Sequence, residues 1–540
     1  MLTILCSVRR IKCDEGKPEC NNCIRAAKSC HGNGYSDMRA AAASSTPLGN
    51  TQPSMALAPS RVKLNRQDLH AFNILRQKTM GQITGMFDRA FWTVDVLRAS
   101  HVYPAIWHAC LAISAMHERL ALPATTSKDR ETRRSRHAFA LGQYNTAIRH
   151  LVEIAAKPRL SDSDQETIVL ASTLFTGICC MDGDVTQAII HARNGLGVFY
   201  QWQKTRPSGV RGDYRTGRVL SSDTLTTLTA HVSLQVFDRT CIVDNPPPHI
   251  PPELFQCAET PFMSANAAYQ ELVPIASTLL ELSQDRILRR ISTIHVEEDT
   301  TAAAALRDSY LAALRAWEGK FEEYLATRDP SSDDQHCILM LRLLWMCVTI
   351  YTQDRSSVEP GLTRREFEHY VPSFERFVEL AEQLYEEQDA AETEGPPVFS
   401  FSLALCKFIF YVGLVCRSTR LRERLTSVLR RNPRRDGVWD SEMVALVLEA
   451  VVAFEERTQR EALMGTDCHC ECEVGVFACD EHRVAAVKAE YMTDGLMDLE
   501  ILRQRDVDCR GKGEVVRVRW SWWERLGDTE RWMGEGGVVG

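Results

Sequence analysis

Five cysteines within the first thirty residues constrain the fold of this chain more than any other feature. They follow the spacing Cys6-x6-Cys13-x6-Cys20-x2-Cys23-x6-Cys30. The segment holds almost no large apolar side chains, so burial alone cannot fold it. Thiolates are good ligands for Zn²⁺, which prefers tetrahedral sulfur and nitrogen sites, and metal binding supplies folding free energy. The spacing therefore predicts a zinc-stabilised unit at the amino terminus.

The same segment carries a local excess of positive charge. Residues 1–30 hold six Lys and Arg against three Asp and Glu, whereas the whole chain has a formal net charge of −8. Between the first two cysteines, a short helix-compatible turn presents Arg9, Arg10 and Lys12. A short basic segment at one end of an otherwise acidic chain is expected when that end binds a polyanion.

The chain divides into four predicted parts. Residues 1–34 hold the cysteine cluster, and residues 35–66 are an Ala/Ser/Thr/Pro-rich segment that cannot bury enough apolar surface to order itself, which predicts a flexible linker. Residues 67–460 show helical periodicity and predict a large all-helical domain, followed by a partly irregular extension, 461–540. The apolar fraction of 44% is an ordinary globular value. The predicted fold class is mostly α.

Apolar residues recur at helical spacing in this body. Those between Ile106 and Leu120 fall at offsets of 0, 4, 7, 10 and 14 residues, on one face of a helix. A second such helix is predicted to begin after Asp440, a plausible N-cap residue. The apolar run 398–416 approaches the length of a membrane span, but Lys407 lies at its midpoint. That run therefore predicts a buried core helix, and no membrane partner is expected.

From Cys6 onward, the string CSVRRIKCDEGKPECNNCIRAAKSC resembles the fungal binuclear zinc cluster, a six-cysteine DNA-binding domain. In that family six cysteines hold two zinc ions, and two of the cysteines bridge both metals. The resemblance implies that Cys6, Cys13, Cys20, Cys23 and Cys30 take the second to sixth ligand places, with Cys20 a bridging ligand.

The resemblance also implies how DNA is read. In the family, the short helix after the second cysteine enters the major groove and reads a CGG-type triplet. Arg10 takes the main base-reading place, while Arg9 and Lys12 contact bases or phosphates. A guanidinium suits guanine O6 and N7, and each such contact supplies about 1–3 kcal/mol of discrimination.

One position departs from the family pattern. The first ligand place falls on Thr3, and a threonine hydroxyl is a poor zinc ligand because it stays protonated at neutral pH. The missing cysteine is a bridging one, so each zinc ion keeps three of its four thiolates. Two explanations stay open: the true amino terminus carries the missing Cys-x-x-Cys, or the cluster is degenerate. Two zinc ions are expected if the cluster is complete.

The helical body resembles the fungal-specific transcription factor regulatory domain. The stretches that carry this resemblance are 174–199, 237–248 with 260–272, 314–325 and 416–456. In the last of these, an Arg-Arg-Asp-Gly-x-Trp-Asp-Ser sequence follows a basic helix. Gly437 predicts a tight turn there, and Trp439 predicts a packing anchor.

Four further signals lie in the helical body and the C-terminal extension. The eight arginines of 417–435 suggest a second nucleic-acid patch, but helical spacing favours a solvated face. His191 is expected to be a hydrogen-bonded core histidine. In the C-terminal extension, residues 516–522 alternate like a short strand. A group of six nearby residues predicts either a soft-metal site or an inert surface loop: Cys468, His469, Cys470, Cys472, Cys479 and His482.

The resemblance implies a nuclear regulator of RNA polymerase II genes. The absence of catalytic signature motifs does not by itself exclude an enzyme, but nothing in the sequence calls for one, and the chain is not expected to be an enzyme. Its expected partners are double-stranded DNA and the transcription machinery. Residues 31–66 show no heptad, so monomeric binding and a homodimer formed through the helical body both stay open. The family resemblance implies control of a metabolic pathway or biosynthetic gene cluster. The alternatives are a scaffold protein that has lost DNA binding and a cytosolic metal-responsive protein.

Overall fold

The computed structural model describes most of the chain after residue 63. The described residues all belong to one compact unit, Leu57–Gly540. They are 64–122, 125–205, 218–236, 260–291, 300–327, 332–353, 364–389, 398–401, 405–464, 472–479, 481–491, 496–503, 506 and 512–520. The predicted cysteine cluster and nearly all of the predicted linker lie outside them.

Helices dominate the described residues, which confirms the predicted mostly α fold class. The helices of the first half are α1 (Arg66–Ile74), α2 (Met80–Ile83), α3 (Val96–Val102), α4 (Pro104–Ala121), α5 (Ser127–Ala155), α6 (Asp162–Asp182), α7 (Val185–Thr205) and α8 (Ser222–Val236). Those of the second half are α9 (Ala265–Ile291), α10 (Thr300–Thr327), α11 (Ser332–Gln353), α12 (Arg364–Glu368), α13 (Val371–Asp389), α14 (Leu405–Val415), α15 (Thr419–Arg431) and α16 (Ser441–Met464).

Helix α4 confirms the periodicity between Ile106 and Leu120. The predicted face is buried, and only Leu120 at its end is partly exposed. Trp107 and Leu111, which lie off that face, are also fully buried. This wider burial arises because α4 packs against α5 and α6 at once.

Helix α14 confirms the predicted buried core helix from Leu405 onward, whereas the prediction of helix is wrong for Val398–Ser400, which form a strand. Lys407 is only 3% exposed, and its Nζ lies 5.2 Å from the ring centroid of Tyr411 and 5.7 Å from that of Trp439. These cation–π contacts keep the ammonium group among aromatic rings. Among the described residues, one helical window, Gln335–Thr352, is long and apolar enough to cross a membrane. It is 61% buried inside the protein, as in a core helix.

Three short strands that the sequence does not predict connect distant parts of the helical body. They are β1 (Val398–Ser400), β2 (Arg434–Asp436) and β3 (Trp439–Asp440). Strand β1 pairs parallel with β2, and β2 pairs antiparallel with β3. The pairing holds the segment before α14 against the turn before α16.

That turn has the structure predicted from its sequence. Gly437 adopts a φ of +60°, in the left-handed region that favours glycine. Trp439 is 2% exposed, and its Nε1 donates to the backbone oxygen of Gln235 over 2.9 Å. Asp440 caps α16, because its carboxylate accepts from the backbone N of Met443 over 3.0 Å.

The C-terminal extension contains an antiparallel sheet of three strands. They are β4 (Val484–Tyr491), β5 (Leu496–Arg503) and β6 (Glu514–Arg519). Strand β6 confirms the predicted strand at 516–519, while Trp520 lies beyond its end and 521–522 lies outside the described residues. Strands β4 and β5 were not predicted. Alternate side chains of β5 are fully buried and contribute to the hydrophobic core.

Candidate functional site

The predicted zinc ligands and DNA-contacting residues lie outside the residues that the structure describes. They are Cys6, Cys13, Cys20, Cys23, Cys30, Arg9, Arg10 and Lys12, together with Thr3 at the first ligand place. Their roles stay predictions. The structure describes the arginine run, His191 and part of the C-terminal cysteine group, which were also identified in the sequence.

The predicted solvated face of the arginine run 417–435 is present at Arg420, Arg430 and Arg431, which are exposed, but that prediction is wrong for the buried members of the run. Arg417, Arg422 and Arg435 are at most 2% exposed. The guanidinium of Arg417 lies 5.6 Å from the ring centroid of Phe477, and Arg435 Nε donates to the backbone oxygen of Gly437 over 3.2 Å. These cations hold elements of the fold together and do not face solvent.

Outer arginines of the same run are paired with carboxylates. Arg424 donates twice to Glu382 on α13, over 3.0 and 2.6 Å. Arg430 donates twice to Glu449 on α16, over 3.1 and 2.7 Å. Bidentate pairing of this kind engages the guanidinium edge that would bind phosphate. These two arginines therefore connect α15 to its neighbouring helices, whereas Arg420 and Arg431 are exposed.

A buried ion pair joins α15, α16 and the C-terminal sheet. Arg422 Nη1 lies 2.5 Å from Glu455 Oε2, and the two side chains are 1% and 4% exposed. The other carboxylate oxygen of Glu455 accepts from the backbone N of Val484, the first residue of β4, over 2.7 Å. Sequence analysis did not find Glu455, because nothing local in the sequence marks its distant partners.

The end of the C-terminal sheet contacts the turn before α16. Trp520 is 4% exposed, and its Nε1 donates to Asp440 Oδ1 over 3.1 Å. The Arg435 guanidinium lies 5.6 Å from the Trp520 ring centroid. The extension is thus attached to the most distinctive motif of the helical body.

A cavity of about 90 Å³ lies between α8, α9 and the segment before α3. His231 Nδ1 lies 3.4 Å from both Asp88 Oδ2 and Tyr269 Oη, and Phe87 stacks on Tyr269 at 4.0 Å. Burial, followed by the nearby Asp88 charge, raises the pKa of Tyr269 well above its usual value. Pockets that enclose a drug-sized ligand are typically about 300 Å³ or larger. This cavity is too small for such a ligand.

His191 is hydrogen-bonded as predicted, but it is only half-buried. Its Nε2 lies 2.5 Å from Tyr144 Oη, and burial lowers the pKa of the imidazole. Nothing in this arrangement offers a metal a set of ligands.

The C-terminal cysteine group is partly assembled. The ligand atoms of Cys472, Cys479 and His482 all lie within 4.8 Å of one another, whereas 468–470 lies outside the described residues. Hydrogen bonds, from Cys472 foremost and also from His482, lower the pKa of the Cys479 thiol to about 4 despite burial. His482 is 9% exposed, and the two cysteines are half-buried. The soft-metal site and the inert surface loop both stay predictions.

Two family profiles match the chain. The fungal Zn(2)-Cys(6) binuclear cluster domain matches residues 4–39. The fungal specific transcription factor domain matches residues 84–451, which is more than half of the chain. No solved structure matches the chain at a significant level.

Three curated fungal proteins are similar to the chain. The aspercryptin biosynthesis cluster-specific transcription regulator atnN of Emericella nidulans is 26% identical over 44% of this chain and 39% of its own length. The transcription regulator lscL of Purpureocillium lilacinum is 24% identical over 38% of this chain and 50% of its own length. The Zn(2)-C6 fungal-type transcription factor afumD of Aspergillus fumigatus is 30% identical over 21% of this chain and 30% of its own length. The chain thus aligns with half or less of each relative's length, and all three relatives are named as transcription proteins, not enzymes.

Proposed function

The chain belongs to the fungal specific transcription factor family, and we propose that it is a nuclear, sequence-specific DNA-binding regulator of RNA polymerase II transcription. The observation that carries the proposal is the presence, in one chain, of a zinc cluster match at 4–39 and a regulatory domain match at 84–451. The first supplies a means of reading DNA, and the second is a large helical body suited to regulation.

Zinc holds the reading segment in shape in this proposal. The donor set suits the metal, because five thiolates at short spacing are strong zinc ligands and the segment has little apolar surface to fold on. The residues that hold the metal are Cys6, Cys13, Cys20, Cys23 and Cys30. Thr3 at the remaining, bridging place supplies only a protonated hydroxyl, so each of the two zinc positions lacks one thiolate.

DNA recognition is assigned to three basic residues between the first two cysteines. Arg10 donates to the edge of guanine in a CGG-type triplet, while Arg9 and Lys12 contact bases or phosphates. Contacts to phosphate position the protein and make its affinity fall with salt, whereas the contact to guanine discriminates between sequences.

The helical body receives or transmits regulation, and double-stranded DNA and the transcription machinery are the partners. A biosynthetic gene cluster is the proposed kind of target, since one relative is named as the specific regulator of the aspercryptin biosynthesis cluster. The buried and carboxylate-paired arginines of 417–435 support assigning DNA binding to the amino terminus, not to a second basic patch. The body is also the proposed surface for dimerisation, if the regulator binds paired triplets.

The test compares the full chain with two arginine variants by fluorescence anisotropy. One duplex carries CGG triplets, and the other carries the same bases in scrambled order. Arg10→Ala is expected to lower the preference for the CGG duplex at least about fivefold, the lower bound for losing one guanine contact. Arg420→Ala, an exposed change of the same charge, is expected to keep the preference. An unchanged preference in Arg10→Ala contradicts the assignment.

A second candidate function rests on Thr3. With a threonine at a bridging position, the cluster can fail to close, and the chain then acts as a regulatory scaffold without DNA binding. The zinc content of the amino-terminal cluster distinguishes the two functions. Two ions support the DNA-binding regulator, and none supports the scaffold.

A further inference from the structure

The chain between α16 and β4 is folded so that three potential metal ligands face one another. Glu473 and Phe477 form a short antiparallel bridge across a turn in which Gly475 has a φ of +77°. This turn returns the chain past Cys472, and the backbone N of Cys479 donates to Cys472 Sγ over 3.2 Å. A second turn follows, in which the backbone N of His482 donates to the oxygen of Cys479 over 3.1 Å.

The distances among the three ligand atoms suit a single small cation. His482 Nδ1 lies 3.5 Å from Cys472 Sγ and 3.3 Å from Cys479 Sγ. Zinc bonds of about 2.3 Å to sulfur and 2.0–2.1 Å to nitrogen, at a tetrahedral angle, separate sulfur from nitrogen by about 3.6 Å. We propose that Cys472, Cys479 and His482 form a zinc site, separate from the amino-terminal cluster, in which water or another donor completes the tetrahedron.

The ligand types select the metal. Two sulfurs and one imidazole nitrogen suit Zn²⁺, whereas Mg²⁺ and Ca²⁺ prefer oxygen ligands. The backbone N–H that points at Cys472 Sγ is a favourable partner for a thiolate, and it orients the sulfur as an outer-shell contact does in metal sites.

The surroundings indicate a structural role for the site. Phe477, between the two cysteines, is 2% exposed and packs against Phe367 at 5.6 Å between ring centroids. Arg364, on the same helix as Phe367, forms an ion pair with Glu473. The bound ion would therefore fasten the segment that leads from α16 into the C-terminal sheet onto the helical body.

The test measures zinc per chain in the full-length protein, purified under reducing conditions, by plasma mass spectrometry. A double variant, Cys472→Ser with Cys479→Ser, is expected to hold one zinc ion fewer than the unaltered chain. A matched control, Cys337→Ser, removes a half-buried cysteine outside the group and is expected to keep the full content. Because the comparison is a difference, the amount held by the amino-terminal cluster cancels. Equal content in the double variant and the unaltered chain overturns the proposal.

Two further measurements guard against a variant that merely misfolds. His482→Cys keeps a good ligand in place, so it is expected to retain the zinc, whereas His482→Ala is expected to bind it more weakly. When both chains are loaded with Co²⁺, the thiolate-to-cobalt absorption of His482→Cys is expected to be shifted from that of the unaltered chain. An absorption spectrum that is identical in both chains, or a Cys472–Cys479 disulfide found under reducing conditions, contradicts the site. Neither result bears on DNA binding by the amino terminus.

Discussion

Replacing Glu455 by alanine is expected to destabilise the helical body strongly. Glu455 is 4% exposed on its side chain and is the only carboxylate, among the contacts described above, that faces Arg422. The alanine variant leaves the Arg422 guanidinium buried without its counter-ion. It also removes the acceptor of the Val484 backbone N–H.

The magnitude follows from these two losses. Removing one partner of a buried ion pair typically costs about 3–5 kcal/mol. Leaving a buried N–H without an acceptor typically costs about 1–3 kcal/mol. The two losses share one side chain and need not add fully, so the expected decrease in the free energy of unfolding is about 4 kcal/mol or more. Arg422 keeps one contact, from its Nε to the backbone oxygen of Cys416.

The assay is urea unfolding of the full chain, followed by tryptophan fluorescence and by circular dichroism, with hydrogen exchange of the first residues of β4. The control is Glu449→Ala on the same helix, where the carboxylate pairs with Arg430 at the surface. An exposed pair contributes about 1 kcal/mol or less. The reasoning is refuted if the two variants unfold at the same urea concentration, or if exchange at Val484 is unchanged in Glu455→Ala.

The remaining predictions concern the turn before α16 and the amino-terminal cluster. Trp439→Ala is expected to lower the free energy of unfolding by about 3–5 kcal/mol, because it opens a large cavity. Trp439→Phe is expected to lower it by less, because this variant loses mainly the hydrogen bond to Gln235. Thermal unfolding measures both variants, and equal losses of stability would contradict the assignment of most of the loss to the cavity. Thr3→Cys is expected to raise the affinity of the cluster for zinc and the affinity for CGG-containing DNA by completing the six-thiolate set, whereas Thr3→Ser is expected to change neither. A zinc affinity unaffected by Thr3→Cys would contradict the assignment of that place as a ligand position.

The features that the sequence predicts well depend on local spacing. The helix between Ile106 and Leu120 follows from its periodicity, and the turn at Gly437 follows from glycine's access to positive φ. Trp439 is predicted as a packing anchor because a large aromatic side chain after such a turn is expected to be buried in the core. In each case neighbouring residues along the chain carry the information.

The features that the sequence did not predict depend on partners far along the chain. The arginines of α15 have helical spacing that fits a solvated face, but Glu382, Glu449 and Glu455 on other helices bury or pair them. Strands β4 and β5 were missed although β5 alternates apolar and charged residues, since its pairing partners were not apparent. The sequence indicates the group around Cys472 as a candidate metal site, but it does not indicate which members of the group lie close together.

Binding of the full chain to CGG-containing DNA, measured as zinc is removed and returned, tests the central claim most directly. The selective affinity over a scrambled duplex is measured by fluorescence anisotropy before chelation, after chelation, and after Zn²⁺ or Mg²⁺ is added back. If metal-bound thiolates hold the DNA-reading segment in shape, selectivity is lost on chelation and returns with Zn²⁺ alone. Selectivity that persists in the metal-free chain, or equal affinity for both duplexes when zinc is bound, contradicts the proposed function.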